Sequence, residues 1–167
     1  MVYERDQKEN FDFICLDIIG VGASVYDALK QIYPKDRFSQ KVKPINAAET
    51  KSVQDSEKYT NKRVEMWDRM AQWLSGDLPV QVPDDSELMS QLCGQRYEYH
   101  TFGKKCLLDK KSDGLPSPDK ADALALTFAL PESVLNVNEN DSLNKIKAYA
   151  QYGYMPQSGN IHSILGV

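Results

Sequence analysis

The sequence predicts an α/β protein, and three observations carry that reading. Residues 11–19 (FDFICLDII) form an apolar, β-branched run of the kind that fills a buried parallel strand. Gly20-Val21-Gly22 follows as a tight turn, and residues 23–32 (ASVYDALKQI) then bring Val25, Ala28, Leu29 and Ile32 onto one helical face. Residues 41–46 (KVKPIN) read as the next strand, so strand, glycine turn, helix and strand make a βαβ unit.

Residues 47–58 are polar and aperiodic, which predicts a loop. A helix follows over 61–74, with Val64, Trp67, Met70, Ala71 and Leu74 on one stripe and Gly76 ending it. Residues 78–82 (LPVQV) read as a short edge strand. Asp84 and Glu87 form a capping-box pattern for a helix reaching about Cys93. Residues 96–109 predict a hairpin turning at Gly103, with Tyr97, Tyr99 and Thr101 on one side and Arg96, Glu98 and His100 on the other. Ser117 as N-cap and Pro118 at the first helical position open a last core helix, which runs to Leu130 before Pro131. Residues 132–167 are rich in Asn, Ser and Gly and read as a short helix near 143–152 with a loosely held tail. The expected organisation is one domain over 1–130 and a carboxy-terminal extension over 131–167.

Composition bounds the function. The 167 residues are 41% hydrophobic and 26% charged, the balance of a globular chain with a real core. No run approaches the roughly 18 apolar residues of a membrane span, and residues 1–10 (MVYERDQKEN) are too polar for a signal peptide. A cytoplasmic protein is expected. Cys15, Cys93 and Cys106 lie apart, outside any CxxC or Cys/His cluster, so they read as buried thiols rather than a zinc or disulfide framework. The net charge of −4 argues against binding nucleic acid by bulk charge and leaves a local basic patch as the route.

Two carboxylate positions are candidates for chemistry. Asp17 ends the first apolar strand, and ligands in open α/β sheets sit at the carboxyl ends of strands. Capping the glycine turn is the plainer role for it. Asp119 and Asp122 are three residues apart and share a face on the first turn of their helix. Acceptor-only carboxylates there suit a hard cation such as Mg²⁺, or they offset the helix dipole. A dinucleotide loop is excluded at Gly20-Val21-Gly22, because the third glycine of G-x-G-x-x-G would fall on Val25. His100 and His162 have no partner at ligand or triad spacing. Lys104, Lys105, Lys110 and Lys111 offer either a phosphate contact or a solvated face.

The order LDIIGVGASVYDAL, YTNKRVEMW, LMSQLCGQRYEYHTFGKKCLLDKK and GLPSPDKADALALTFA, spanning roughly residues 11–130, resembles the nuclease domain of bacteriophage large terminase subunits. The segment SPDKADALALTFA is its most specific part. This resemblance implies an RNase H-like fold, a mixed sheet flanked by helices. It also implies a two-metal endonuclease that uses Mg²⁺ or Mn²⁺ to cut concatemeric viral double-stranded DNA during packaging, in the host cytoplasm. Asp17 matches the family's acid on the fourth strand and Asp119 its final acid. Asp122 occupies a later position as a further or outer-shell ligand, and Lys110 resembles a lysine that contacts phosphate or the metal shell. The terminase small subunit and the portal are the implied partners.

The family domain opens with three antiparallel strands, the first carrying an acid that bridges both metals. This chain reaches the fourth-strand motif by residue 17 and has no Walker A sequence, so it is expected to be truncated at those three strands and to lack the ATPase. Weak or absent nuclease activity follows as an expectation. A non-catalytic module docking to packaging components, or a prophage remnant, is the alternative. The strand at 11–17 would also leave an apolar edge, expected to be covered by self-association or by residues 1–10 folding back.

Overall fold

The computed structural model describes residues 1–77, 80–100, 103–107 and 117–131. In chain order these form α1 (Val2–Glu9), β1 (Ile14–Asp17), α2 (Val21–Ile32), α3 (Lys35–Lys41), β2 (Val42–Ile45), α4 (Lys62–Leu74), α5 (Ser86–Gly94), β3 (Tyr97–Tyr99), β4 (Lys105–Leu107) and α6 (Asp119–Leu126). Lys110, Lys111, His162, the strand residues 78–79 and the extension beyond 131, with its expected helix near 143–152, lie outside the described residues.

The βαβ unit forms as its pattern predicts. β1 and β2 pair in parallel, with Ile14 opposite Val42 and Asp17 opposite Ile45. Alternation along the strands then sorts their side chains between two clusters. Ile14, Leu16 and Val42 pack with Leu29, Tyr33 and Phe38 of the α2–α3 side. Cys15 and Ile45 face the other way, onto Met66, Trp67 and Met70 of α4 and Ala121 and Ala125 of α6. The sheet is thus the middle of three layers.

The inward face of α2 differs from the expected one. Leu29 is buried, but Val25 and Ile32 are 38% and 53% exposed, and Ala28 is exposed as well. Aromatic rings take the inner sector instead. Tyr26 meets Phe38 edge-on at 5.1 Å, and Tyr33 meets Tyr3 at 4.7 Å. Rings of this size bury more apolar area than the valine and alanine they displace.

Residues 1–10 fold back onto this side as α1, a helix too polar for its pattern to announce. Its anchor is Asp6, buried to 2% exposure, which accepts hydrogen bonds from Tyr33 Oη at 3.0 Å and Lys41 Nζ at 2.7 Å. Tyr3 joins the cluster that holds Ile14 and Leu16. α3 was also unforeseen; it is held by the buried Phe38.

α4 begins at Lys62, one residue after the expected start, and is capped by Asn61, whose side chain accepts from Val64 N–H. Its burial exceeds one stripe, for Lys62, Glu65 and Asp68 are buried with the apolar residues. Each has partners, as a buried charge requires. Lys62 Nζ lies 2.9 Å from Glu65, and Asp68 accepts from Tyr59 Oη at 2.6 Å, Lys105 Nζ at 2.5 Å and Gln72 Nε2 at 2.8 Å.

The hairpin turns at Gly103, whose φ of +75° suits a residue without Cβ, and β3 pairs antiparallel with β4. Tyr97 is half-buried and Tyr99 is 68% exposed. Tyr59 bridges Lys105 on the outer side of β4, so the loop after β2 extends this ladder. Among the described residues the strands form one parallel and one antiparallel pair. Residues 80–82 are not a strand. The cap of α5 is Asp85 rather than Asp84, accepting from Glu87 and Leu88 N–H. Cys106 is buried and Cys15 partly so, but Cys93 is exposed, a correction to its reading as a buried thiol. No described helix is long and apolar enough to cross a membrane.

Candidate metal centre

Asp17 is the last residue of β1, and a sharp backbone reversal holds it in place. Its Oδ1 accepts from Ile19 N–H at 3.0 Å, while Gly20 takes φ +62° to enter α2. Gly22 then passes so close that a Cβ there would sit 1.7 Å from the Asp17 carbonyl oxygen. Gly22 thus serves a close backbone approach and Gly20 the positive φ of the turn. Alternation puts the Asp17 side chain on the face of Cys15, the face that packs α4 and α6. α6 itself touches β1.

Asp119 is the first residue of α6 and is exposed. Among the described residues its side chain makes no hydrogen bond or ion pair, and Asp17 makes none beyond the one to Ile19. The N-cap of α6 is Pro118 rather than the expected Ser117, and it supplies no side-chain cap. The missing acceptor comes from α5. Gln91 Oε1 takes Lys120 N–H at 2.9 Å and Ala121 N–H at 3.1 Å. The helix ends at Leu126, four residues short of the expected Leu130, in a turn closed by Thr127 N–H to Leu124 O and Phe128 N–H to Ala125 O.

Asp122 has a different situation. Arg63 reaches both its oxygens, Nε at 2.9 Å and Nη2 at 3.1 Å, and Trp67 Nε1 donates at 2.7 Å. Such a bidentate pair is strong and directional, so Asp122 fastens α6 to α4. Arg63 N–H also bonds the Ala47 carbonyl at 2.8 Å, which ties the clamp to the exit of β2.

Arg63, Trp67 and Gln91 were missed in the sequence. One signal was present: two cations, Lys62 and Arg63, open α4, where the helix dipole disfavours positive charge. Each is explained by a carboxylate partner. Nothing in the sequence points to Gln91, because its role exists only once α5 and α6 pack together.

Asp17 and Asp119 thus end β1 and open α6, two elements in contact, and among the described residues each keeps carboxylate oxygen without a partner, the donor type that hard divalent cations take. Asp122 is adjacent but engaged, and Lys110 lies outside the described residues. No group of three or more metal-ligating side chains occurs among the described residues.

No family model matches the sequence, and no curated protein matches it. Solved structures do resemble it. A lysine-to-alanine mutant of the nuclease domain of the large terminase subunit gp2 of bacterial virus Sf6, with manganese, superposes with a TM-score of 0.57 at 19% identity, over 77% of this chain and 70% of that one. The mutant domain with calcium gives 0.57 at 18% identity, over 77% and 69%, and the nuclease domain without the mutation gives 0.57 at 19% over the same shares. At such identity the likeness is one of fold: this chain is an α/β protein with the RNase H-like fold of a phage terminase nuclease domain.

Proposed function

We propose that the chain carries the metal-binding corner of a terminase-type endonuclease acting on double-stranded DNA, with Asp17 and Asp119 as ligands for Mg²⁺ or Mn²⁺. The observation that supports this most is that two carboxylates with few partners among the described residues stand at the end of β1 and at the head of α6, the helix that packs against β1. The fold likeness to a nuclease domain solved with manganese adds to it.

A divalent ion held by Asp17 and Asp119 would supply activation of a water and stabilisation of the leaving oxygen of a phosphodiester. The chain's own residues set the geometry. The Ile19 N–H fixes one oxygen of Asp17 and leaves the other free. Asp122, clamped by Arg63 and Trp67, holds the first turn of α6 so that Asp119 faces outward from a fixed backbone. Lys110 is assigned a phosphate or metal-shell contact. The terminase small subunit and the portal are the assigned partners, and the host bacterial cytoplasm the setting.

Two carboxylates hold Mg²⁺ loosely until substrate phosphate completes the shell. A site built on two carboxylates binds its ion weakly, so slow cutting is expected. Supercoiled plasmid incubated with purified protein and Mn²⁺ tests the reading. Slow nicking at most, lost in Asp119→Ala, is expected; rapid cutting that survives Asp119→Ala would overturn it.

A further inference from the structure

The cap of α6 has a consequence for Asp119. The first N–H groups of a helix have no intrahelical acceptor, and an acid in the first turn is their usual local partner. α6 has Pro118 at its N-cap, so it provides no cap of its own ahead of Asp119. Gln91 takes two of these donors, at 2.9 and 3.1 Å. Its amide is oriented for this by its other end, where Nε2 donates to Glu87 Oε1 at 3.2 Å. Glu87 is in turn held by Lys120 Nζ at 2.8 Å, which also reaches Asp85 at 2.6 Å. The head of α6 is thus fastened to α5 through both backbone and side chain.

We infer that Gln91 is a positioning residue of the metal site: by capping α6 from α5, it leaves the Asp119 carboxylate free to hold the ion. The inference rests on the function proposed above. Asp119 carries the carboxylate adjacent in sequence to the Lys120 and Ala121 N–H groups, and without an acceptor at position 91 its side chain is expected to turn onto them. A side chain turned onto its own helix is withdrawn from a ligand shell. Partners outside the ligand shell commonly change metal affinity by about 10- to 100-fold.

The test is Mn²⁺ affinity, measured by paramagnetic resonance or calorimetry with a short DNA duplex present to supply phosphate oxygens, in the wild type, Gln91→Met, Gln91→Glu and Asp119→Asn, each checked by circular dichroism. Gln91→Met keeps the length and helix preference but accepts no hydrogen bond, and is expected to bind Mn²⁺ about 10-fold more weakly. Gln91→Glu keeps an acceptor for the two N–H groups but gives up the donor to Glu87, and is expected to recover part of the affinity, ahead of Gln91→Met when the two are compared at matched melting temperature. If Asp119→Asn abolishes binding while Gln91→Met binds as the wild type does, the positioning role is overturned and the site reading stands. If Asp119→Asn binds like the wild type, or the wild type binds no Mn²⁺, both are overturned.

Discussion

Asp68 and Asp119 lie in two regions that treat a carboxylate in opposite ways. Asp68, on α4, has its side chain 6% exposed and clasped by Lys58, Lys105, Tyr59 and Gln72. Burial works to raise its pKa, but the hydrogen bonds from Lys105, Tyr59 and Lys58 outweigh burial and hold it at about 2. Asp119 is exposed at the head of α6, and among the described residues its carboxylate has no partner. The first carboxylate stabilises the fold because it is saturated. The second is suited to chemistry because it is not. Asp6 belongs with Asp68 and Asp17 with Asp119, while Asp122 is the hinge between the two sets: engaged like a core residue, one turn away from the site.

Substitutions should separate these regions. The largest loss is expected at Asp68→Ala, which strands two lysines and a tyrosine in or near the core and should cost about 3–5 kcal/mol in denaturant unfolding. Gly22→Ala comes next. Its Cβ would collide with the Asp17 backbone rather than with a yielding side chain, so about 3 kcal/mol or a failure to fold is expected. Arg63→Ala, at a half-buried clamp, should cost about 2 kcal/mol and loosen α6 from α4, seen as faster amide exchange along α6. Asp119→Asn should change stability by less than about 0.5 kcal/mol.

Acid sharpens the same contrast. The folded pKa of Asp68, about 2, lies below its ordinary 3.8, so its contribution is complete above about pH 4 and is lost as pH falls towards 2. At roughly 1.4 kcal/mol per pKa unit this is about 2 kcal/mol. Asp6 is depressed as well, despite its burial, by Lys41 and Tyr33, and adds in the same window. Thermal melts between pH 6 and 2 should show a steeper decline in the wild type than in Asp68→Asn, which has already lost the titrating group.

Much of the fold was legible where a local pattern had one physical meaning. The apolar strand, the glycine turn and the parallel return from 11 to 46, the helix over 61–74 and the Gly103 turn all follow from neighbouring residues. The inner face of α2 did not, because Tyr26 and Tyr33 compete with Val25 and Ile32, and only the position of Phe38 on α3 decides between them. α1 was illegible for a similar reason: its one buried residue is an aspartate whose partners lie 27 and 35 residues away. Of the candidate site, the positions of Asp17 and Asp119 could be read as strand end and helix start. Their freedom could not. At the head of α6 a glutamine from α5 caps the helix and an arginine from α4 engages Asp122; the glutamine leaves no local signature, and the arginine only its misplaced charge at the start of α4.

The most direct test of the account is Mn²⁺ binding measured alongside melting temperature for the wild type, Asp17→Asn, Asp119→Asn and Asp68→Asn, with a short DNA duplex present to supply phosphate oxygens. The account predicts that Asp17→Asn and Asp119→Asn abolish binding with melting temperatures close to wild type. Asp68→Asn should bind Mn²⁺ normally while melting many degrees lower. Unchanged Mn²⁺ binding in both Asp17→Asn and Asp119→Asn would contradict it.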